Sequence, residues 1–375
     1  MSFRTFALTV LLCFMSSLCP AQSFFISGYG DGIYFSSLSP DGAMTEPSLL
    51  AKQANASFFC FHPTKKDLIY AVTETMRNDA NNPACVVAYR FDRTTALQGV
   101  TPKLERISSH PVNGDIPCHV TMDPSGKYLI VANYTNGSVV VFSVDDEGKI
   151  VAETSNVVHK LVDGKKSSNG HCSAVSPTGR FVLVADLGLD RVFVYQLDAS
   201  TGKLSPASNP FLKLADGAGP RHLSFHPNGE FVFIINETNL TMTSARWDEA
   251  TGKLVEVNTV STVPPGTVTQ GFSTAEVLVH PSGKFVYGSN RGHDTIVTMS
   301  IDQITGVISR TANTSTQGKT PRNFRITPDG KMLLAENQSS DTIFSFMVDP
   351  VNGQLTATGK SVSVKAPACI KFLTE

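Results

Sequence analysis

One phrase recurs along this chain at intervals of about fifty residues, and it constrains the fold more than any other feature. It consists of an apolar stretch, then x-Pro-x-Gly, then an aliphatic or aromatic run that ends in Asn or Asp. Clear copies are "CHVTMDPSGKYLIVANY", "HCSAVSPTGRFVLVADL", "RHLSFHPNGEFVFIINE", "AEVLVHPSGKFVYGSNR" and "RNFRITPDGKMLLAENQ", and "SFFCFHPTKKDLIYAVTE" is an earlier copy without the glycine. Self-similarity at such a period is typical of solenoids and propellers.

Each copy predicts four β-strands. Runs rich in Val, Ile, Phe and Tyr flank the x-Pro-x-Gly group, where proline presets the φ angle of a tight turn, so these runs form an antiparallel pair. A second pair follows, as in "DRVFVYQLD", and closes with a turn such as "DASTGKL". Short strands between regular turn signals, without a convincing amphipathic helix, indicate an all-β protein.

Six copies leave both ends of the chain to be explained. Near the C-terminus "APACIKFL" matches a first strand, and near the N-terminus "FFISGYGDGIYFSSLSPDG" matches a second and a third strand. Together they complete a seventh unit, which closes a ring and hides the edges that an open array would expose. We therefore predict a seven-bladed β-propeller with four antiparallel strands per blade, in which N- and C-terminal strands share one blade. A solenoid is the alternative, but it would not need two half-units at opposite ends.

The composition excludes some classes of partner. The 375 residues are 41% hydrophobic and 17% charged, with a formal net charge of −1. This composition provides a core and gives no electrostatic footprint for nucleic acid. The cysteines of the predicted domain are scattered and form no C-x-x-C pair. Neither a structural zinc site nor a dense disulfide framework is indicated, and one or two disulfides stay open.

The N-terminus has the pattern of a secretory signal peptide. Arg4 precedes the apolar run "FALTVLLCFM", and "SSLCPAQ" follows with small residues before a cut site. The run is short for a membrane span. We predict a signal peptide over 1–22, a single propeller domain over 23–375, and a secreted or periplasmic protein with no membrane attachment after cleavage. A buried N-terminal strand is the alternative, and nothing in the sequence indicates an oligomeric state.

The propeller geometry sorts the polar residues between two ends of a central channel. The first strand of each blade lines the channel. The x-Pro-x-Gly turns surround one end, here called the turn mouth, whereas the starts of the first strands and the ends of the second strands surround the other, here called the site mouth. His62, His226 and His280 occupy the first turn position, where other copies carry Asp, Ser or Thr. Such side chains cap turns, so we assign these histidines a structural role.

The site mouth carries a different polar residue in nearly every blade, which favours a lining selected for a ligand. The candidates are Glu74, His119, Tyr134, His171, Arg221, His222, Glu237, Glu276, Arg291 and Arg322, and Tyr29 fits an equivalent position in the split blade. A solvated rim of paired charges is the alternative. The recurring Asn133, Asp186, Asn236, Asn290 and Asn337 just before the ends of the second strands are interpreted as structural.

These residue types suit acid–base chemistry on a small anion. The planar fork of arginine binds carboxylate or phosphate with two hydrogen bonds, and a nearby glutamate or histidine can transfer protons. The sequence has no G-x-S-x-G elbow, no Gly-rich phosphate loop and no nucleotide fingerprint. Oxygens of Glu74, Glu237 and Glu276 could gather around a cation, which is a weaker alternative. We predict no cofactor and assign no metal ligand.

At these residues the sequence resembles the seven-bladed lactonase propeller family, which includes bacterial 6-phosphogluconolactonases and fungal carboxy-cis,cis-muconate lactonising enzymes. The matching phrases are "ADLGLDRVFVYQLD", "GPRHLSFHPNGEFVFIINE", "AEVLVHPSGKFVYGSNRGHDTI" and "TPRNFRITPDGKMLLAENQSSDTI". The resemblance implies a metal-independent site with His171, Arg221, Glu237 and Arg291 as catalytic residues. Where many relatives have His-x-His at the start of the third blade, this chain has Asn169 at the earlier place. The remaining candidates, Glu74, His119, Tyr134, His222, Glu276 and Arg322, are expected to bind substrate.

The resemblance implies two alternative reactions on a small anionic lactone or organic acid. As a 6-phosphogluconolactonase-like hydrolase, the chain would use Arg221 and Arg291 to hold an anionic group and stabilise the oxyanion, while Glu237 or His171 activates water and protonates the leaving alkoxide. As a muconate-type cyclase, it would move a proton at carbon. Export favours an unphosphorylated sugar lactone or another organic-acid lactone, because phosphorylated sugars are chiefly cytosolic. A non-catalytic ligand-binding propeller is a third alternative.

Overall fold

Seven four-stranded antiparallel sheets make up the part of the chain that the computed structural model describes, residues 21–160 and 167–374. The first strands of successive sheets contact one another around a central channel, so the predicted seven-bladed propeller is confirmed. Blades 1 to 6 follow in chain order, and blade 7 is shared by both chain ends. The predicted signal peptide, 1–22, lies outside the described residues apart from its last two positions, and it stays a prediction.

The strand bounds follow the repeat. Blade 7 begins with β1 (Gln22–Gly28), β2 (Gly32–Leu38) and β3 (Ser48–Lys52). Blade 1 contains β4 (Phe59–Phe61), β5 (Leu68–Thr73), β6 (Cys85–Phe91) and β7 (Leu104–Pro111). Blade 2 contains β8 (Pro117–Met122), β9 (Tyr128–Asn133), β10 (Ser138–Val144) and β11 (Ile150–Val158), and blade 3 contains β12 (Gly170–Val175), β13 (Phe181–Asp186), β14 (Arg191–Leu197) and β15 (Leu204–Lys213).

The remaining blades have the same plan. Blade 4 contains β16 (Pro220–Phe225), β17 (Phe231–Asn236), β18 (Thr241–Asp248) and β19 (Lys253–Ser261). Blade 5 contains β20 (Ser273–Val279), β21 (Phe285–Arg291), β22 (Thr295–Ile301) and β23 (Ile308–Ser315). Blade 6 contains β24 (Pro321–Ile326), β25 (Met332–Asn337), β26 (Thr342–Val348) and β27 (Leu355–Ser363), and β28 (Pro367–Phe372) completes blade 7.

The chain ends close the ring through backbone pairing. Strand β28 pairs antiparallel with β1, with Phe24 opposite Phe372 and Ile26 opposite Ile370. The two phenyl rings pack with centroids 5.3 Å apart, a separation typical of stabilising aromatic pairs. This pairing confirms the predicted shared blade, and it satisfies the backbone groups that two free edges would leave exposed.

Two short helices interrupt the strands. The α-helix α1 (Arg93–Leu97) replaces the usual closing turn of blade 1, and a 3₁₀ helix covers Gln338–Ser340. Asp92 caps α1, because its side chain accepts a hydrogen bond from the Thr95 amide at 3.1 Å. Asp is a favoured N-cap residue, so the aspartate that begins the closing turn in other blades here begins one helical turn.

The x-Pro-x-Gly turns form as predicted, and their histidines cap them. The Nδ1 atom of His226 accepts a hydrogen bond from the Asn228 amide at 3.1 Å, and its Nε2 lies 2.9 Å from the carbonyl oxygen of Gly283 in the next blade. His280 likewise bonds within its own turn and to the Gly330 carbonyl of blade 6 at 2.8 Å. The structural role predicted for these histidines is confirmed, and the turn residue also connects neighbouring blades.

The recurring Asn and Asp residues at the ends of the second strands form hydrogen bonds with neighbouring segments. Asn133 donates to the hydroxyl of Ser138 at 3.1 Å, and Asn337 donates to the Thr316 carbonyl at 3.1 Å. Asp186 accepts from the ring of His159 at 2.6 Å in blade 3. These bonds tie the second strand to its neighbours, as predicted. Large buried side chains such as Phe231 fill the spaces between blades, and no helix within the described ranges is long and apolar enough to cross a membrane.

Candidate active site

Glu237 joins two arginines at the site mouth. It follows β17 directly, and its carboxylate lies 2.9 Å from Nε of Arg221 and 3.0 Å from Nη2 of Arg291. Arg221 comes from β16 of the same blade, and Arg291 ends β21 of blade 5. The arginines also donate to backbone carbonyls, Arg221 to Ala275 at 2.7 Å and Arg291 to Thr274 at 2.8 Å. Three of the four predicted catalytic residues therefore form one ion-pair cluster.

The electrostatics of this cluster fix the protonation state of Glu237. Burial opposes its ionisation, but Arg221 and then Arg291 outweigh burial and lower the pKa of the carboxyl below its usual value. Burial and the repulsion from Arg221 in turn lower the pKa of Arg291 to about 10. At neutral pH the cluster holds one carboxylate and two guanidinium groups, and a carboxylate held in this way is a weak proton acceptor.

A second network crosses the channel between three other blades. The Tyr29 hydroxyl of blade 7 donates to Glu74 of blade 1 at 2.8 Å, and it accepts from Nη2 of Arg322 in blade 6 at 2.6 Å. Burial lowers the pKa of Arg322, but Tyr29 and Glu74 raise it by more. The sequence places Tyr29 at an equivalent position of the split blade, but it was not predicted as a site residue. Its hydroxyl connects Glu74 to Arg322.

His171 lies between these networks, and no hydrogen bond holds the buried Nδ1 atom of its ring. His171 is 5% exposed, and its ring packs against Tyr134 at 5.7 Å and His222 at 5.1 Å between centroids. Burial, followed by the charge of Arg221, lowers the pKa of His171 well below its usual value. The imidazole is therefore neutral at neutral pH, and it can accept a proton.

His222 belongs to a chain of hydrogen bonds beneath the site. Its Nδ1 lies 2.9 Å from Glu276, and Asn323 donates to the other oxygen of that carboxylate at 2.8 Å. Burial lowers the pKa of His222, and Glu276 opposes this effect. A carboxylate behind a histidine fixes the tautomer and orientation of the ring. Glu276 therefore orients His222 from behind.

His119 forms the floor of the site rather than its wall. Its ring packs on Phe58 at 4.2 Å and on His222 at 5.5 Å between centroids, and its Nε2 lies 3.5 Å from the Cys172 sulfur. We call Phe58, His119 and His222 the aromatic floor. Below it the Lys371 ammonium lies 4.7 Å from the Phe58 ring centre.

A narrow cavity of about 10 Å³, room for roughly one water molecule, opens between the two networks and the aromatic floor. Five of the ten predicted residues line it, namely Glu74, His171, Arg221, His222 and Arg322, together with Tyr29 and Phe58. The other five do not line the cavity themselves. Glu237 contacts Arg221 in the wall and also holds Arg291, and Tyr134 packs on His171. His119 and Glu276 each contact His222 from outside the cavity. We take the channel cavity as the site, although a larger groove of about 600 Å³ lies between blades 7 and 1, because the lining of the groove contains no histidine or glutamate.

The cavity lining also bears on nucleophilic and metal-dependent chemistry. Ser57 and Cys118 both reach the cavity, but neither has a base beside it: the Cys118 thiol points to backbone carbonyls, including that of His171 at 3.3 Å, and burial raises its pKa well above the usual value. Within residues 21–160 and 167–374, no three His, Cys, Asp or Glu side chains are grouped to hold a metal ion. All five cysteines in these ranges are free thiols.

Comparison with known proteins identifies the family. The chain matches the family model "Lactonase, 7-bladed beta-propeller" over residues 23–372. The 6-phosphogluconolactonase of Bacillus subtilis is 28% identical over 289 residues, 76% of this chain and 78% of that protein. A 6-phosphogluconolactonase of Formosa agariphila is 31% identical over 68% of this chain and 70% of its own. The solved structure of the periplasmic gluconolactonase of Pseudomonas aeruginosa matches with a TM-score of 0.86 at 28% identity, and covers 94% of this chain and 99% of that one. The chain belongs to the seven-bladed β-propeller lactonase family.

Proposed function

We propose that this protein hydrolyses an uncharged sugar lactone, with His171 as the base that activates water. The observation that carries the proposal is a neutral, unpartnered imidazole beside a cavity on which Arg221 and Arg322 converge. Membership in the lactonase family supports the reaction class. A lactone is a cyclic ester, so its hydrolysis needs an attacking water, a group to receive that water's proton, and donors for the developing oxyanion.

The charges at the site favour an uncharged substrate. Arg221 and Arg291 share the carboxylate of Glu237, and Arg322 reaches Glu74 through Tyr29. Two carboxylates therefore offset part of the charge of three arginines before substrate binds, and a dianionic phosphate would have to compete with these carboxylates. A neutral lactone acquires charge only as its carbonyl oxygen becomes an oxyanion, where preorganised donors have their largest effect.

The geometry assigns the steps as follows. His171 removes a proton from water, and the water oxygen forms a bond to the lactone carbonyl carbon. Arg221 stabilises the resulting oxyanion: Nη1 donates to the Ala275 carbonyl, Nε lies 2.9 Å from Glu237 without a formed hydrogen bond, and we assign Nη2 to the substrate. The bond from carbon to the ring oxygen then breaks, and the imidazolium of His171 returns the proton to that oxygen. The product is an open-chain hydroxy acid, and no covalent enzyme intermediate forms.

Glu237 serves as a positioning residue in this scheme rather than as the base. Its two carboxylate oxygens lie 2.9 Å from Arg221 and 3.0 Å from Arg291, so it fixes both guanidinium groups. The Nδ1 atom of His171, in contrast, has no hydrogen-bond partner. The cyclase alternative would use Arg221 and Arg291 to hold substrate carboxylates, and both are already paired with Glu237. A binding propeller would have no need of an unpartnered neutral histidine in the cavity.

Export is part of the proposal. The N-terminal pattern of 1–22 predicts a signal peptide, and the relative from Pseudomonas aeruginosa is named as periplasmic. An exported enzyme would meet unphosphorylated sugar lactones, which agrees with the partly neutralised arginines.

The test is hydrolysis of glucono-δ-lactone with and without a 6-phosphate, corrected for spontaneous ring opening. We expect kcat/KM to be higher for the uncharged lactone, and His171→Gln to lower kcat by about 10²–10⁴, the usual contribution of a general base. The matched control is His110→Gln, on the outer strand β7 and away from the cavity. Full activity of His171→Gln would refute the assignment of the base, preference for the phosphorylated lactone would refute the substrate class, and inactivity on every lactone would refute the reaction.

A further inference from the structure

Two cations stand side by side at the turn mouth, at the opposite end of the channel from the site. Arg325 and Lys371 occupy the same position of adjacent first strands, β24 and β28. The other blades carry only uncharged residues there, namely Cys60, Thr121, Ala174, Ser224 and Leu278. The charges are therefore specific to blades 6 and 7, and the repeat does not require them.

Neither cation has a counter-ion among the residues that the structure describes. Arg325 forms no hydrogen bond or ion pair there, and the ring of Phe58 is the contact that Lys371 makes. Two carboxylates act on these cations without forming a close ion pair. The charge of Glu276 raises the pKa of Lys371, but its oxygens are bonded to His222 and Asn323. Glu336 is fully buried with both oxygens unpaired, and the charges of Lys371 and Arg325 only partly offset the burial that raises its pKa.

The placement of the two cations is costly without an anion. Burial, followed by repulsion from Arg325, lowers the pKa of Lys371, so the two charges are close enough to destabilise each other. Half-buried charges without partners lose hydration without electrostatic compensation. An anion between them would supply that compensation.

A cavity at the turn mouth offers room for such an anion. Its volume is about 380 Å³, and Arg325 lines it with the hydroxyl-bearing residues Ser224 and Thr374. Thr327 also lines it, but its hydroxyl donates to Asp329 at 2.6 Å. Lys371 lies deeper in the channel, toward Phe58. An open guanidinium fork with nearby hydroxyl groups is suited to an oxyanion, which accepts several hydrogen bonds at once.

We propose that the turn mouth is a second anion site, in which a small oxyanion binds to Arg325 and the Ser224 hydroxyl within the field of Lys371. The aromatic floor separates it from the lactone cavity, so the proposal does not rest on the proposed hydrolysis. Inorganic phosphate and a sugar-acid carboxylate share the required chemistry, and gluconate would also be the product released at the other mouth.

Isothermal titration with inorganic phosphate, and in a second arm with gluconate, tests the proposal on the whole folded protein. We expect saturable binding that weakens by about tenfold or more in Arg325→Gln and in Lys371→Met, because a lost charge-assisted contact costs that much affinity. Arg246→Gln, an arginine on the outer face of blade 4, is the matched control and should bind as the wild type does. Arg325→Gln should also retain lactone hydrolysis. The tighter of the two ligands identifies the source of the anion.

Several results would overturn the proposal. Binding that survives in Arg325→Gln and disappears in Arg221→Gln would assign the anion to the lactone cavity. Absence of saturable binding by either ligand to the wild type would exclude an exchangeable site. Binding that appears only after deletion of Glu375, which lies outside the described residues, would show that the chain's own terminus neutralises the two cations. Thermal unfolding of each variant verifies that a loss of binding does not reflect a loss of fold.

Discussion

Replacing Glu237 by glutamine removes the carboxylate that joins two arginines and leaves their charges unbalanced. The exposed fractions of the side chains are 3% for Arg221 and 24% for Glu237, and 15% for Arg291. Breaking a buried ion pair by removing one partner costs about 3–5 kcal/mol. Because Glu237 is partly exposed, solvent screens this pair, and we expect about 2–3 kcal/mol of lost stability. At about 2.1 cal/mol/K of unfolding entropy per residue, each kcal/mol lowers the Tm of a chain of this size by about 1.4 °C, so Tm should fall by about 3–4 °C.

The pH dependence of this loss distinguishes an electrostatic effect from altered packing. The two arginines outweigh burial and lower the pKa of Glu237 in the folded protein. Since the folded pKa lies below the unfolded value of about 4.3, ionised Glu237 stabilises the fold above that value and loses this effect as the pH falls through the folded pKa. The Tm difference between wild type and Glu237→Gln should therefore be largest near neutral pH and shrink below about pH 4.

Differential scanning calorimetry of wild type and variant over this pH range provides the measurement. The control is Glu230→Gln, in the same blade, where the carboxylate is 61% exposed and lies 3.8 Å from its arginine. Exposed pairs contribute little, so the control should unfold as the wild type does. Equal Tm values for the two variants at neutral pH would refute the argument, as would a Tm difference for Glu237→Gln that does not change on acidification.

Three further predictions concern other parts of the fold. His226→Ala should lower the free energy of unfolding by about 1–2 kcal/mol, because it removes the hydrogen bonds of the ring with the Asn228 amide and with the Gly283 carbonyl, which keeps Gln303 as a donor. The folded variant should keep its activity; denaturant titration measures the loss, and an unchanged midpoint would contradict the connecting role. Burial raises the pKa of the Cys172 and Cys369 thiols to about 12, so a thiol reagent should label these two residues only on unfolding, and fast labelling of the native protein would contradict their burial. Protein expressed with its N-terminus and collected outside the cytoplasm should begin near Ser23 by mass spectrometry, and an intact N-terminus would argue against the signal peptide.

The repeat allowed most of the fold to be predicted from the sequence. Strand alternation and x-Pro-x-Gly turns depend on residues within a few positions of one another, so they can be recognised locally. Counting the copies and matching "APACIKFL" to the N-terminal half-unit then gave seven blades and the shared seventh. The helix α1 was missed because the aspartate at its start, Asp92, serves equally well as a turn residue or as an N-cap.

The residue types at the site mouth could also be predicted from the sequence, because the equivalent positions of each blade converge there. The sequence nominated the arginines, glutamates and histidines by position, without their partners. The pairing of Glu237 with Arg221 and Arg291, the bridge from Glu74 through Tyr29 to Arg322, and the support of His222 by Glu276 are contacts between blades or between distant ends of strands. Through these contacts the carboxylates offset part of the charge of the arginines, and the Nδ1 atom of His171 beside them has no hydrogen-bond partner.

The physical reason is the separation along the chain between the residues that interact. Backbone hydrogen bonding and turn geometry are set by neighbouring residues, so the sequence by itself determined the blades, their number and the closure of the ring. The charge state of the site depends on which side chains meet across the channel, on distances of about 3 Å between residues of different blades, such as Glu237 and Arg291, and on their removal from water. Only the tertiary structure decides these contacts, since they follow from how the blades pack around the channel.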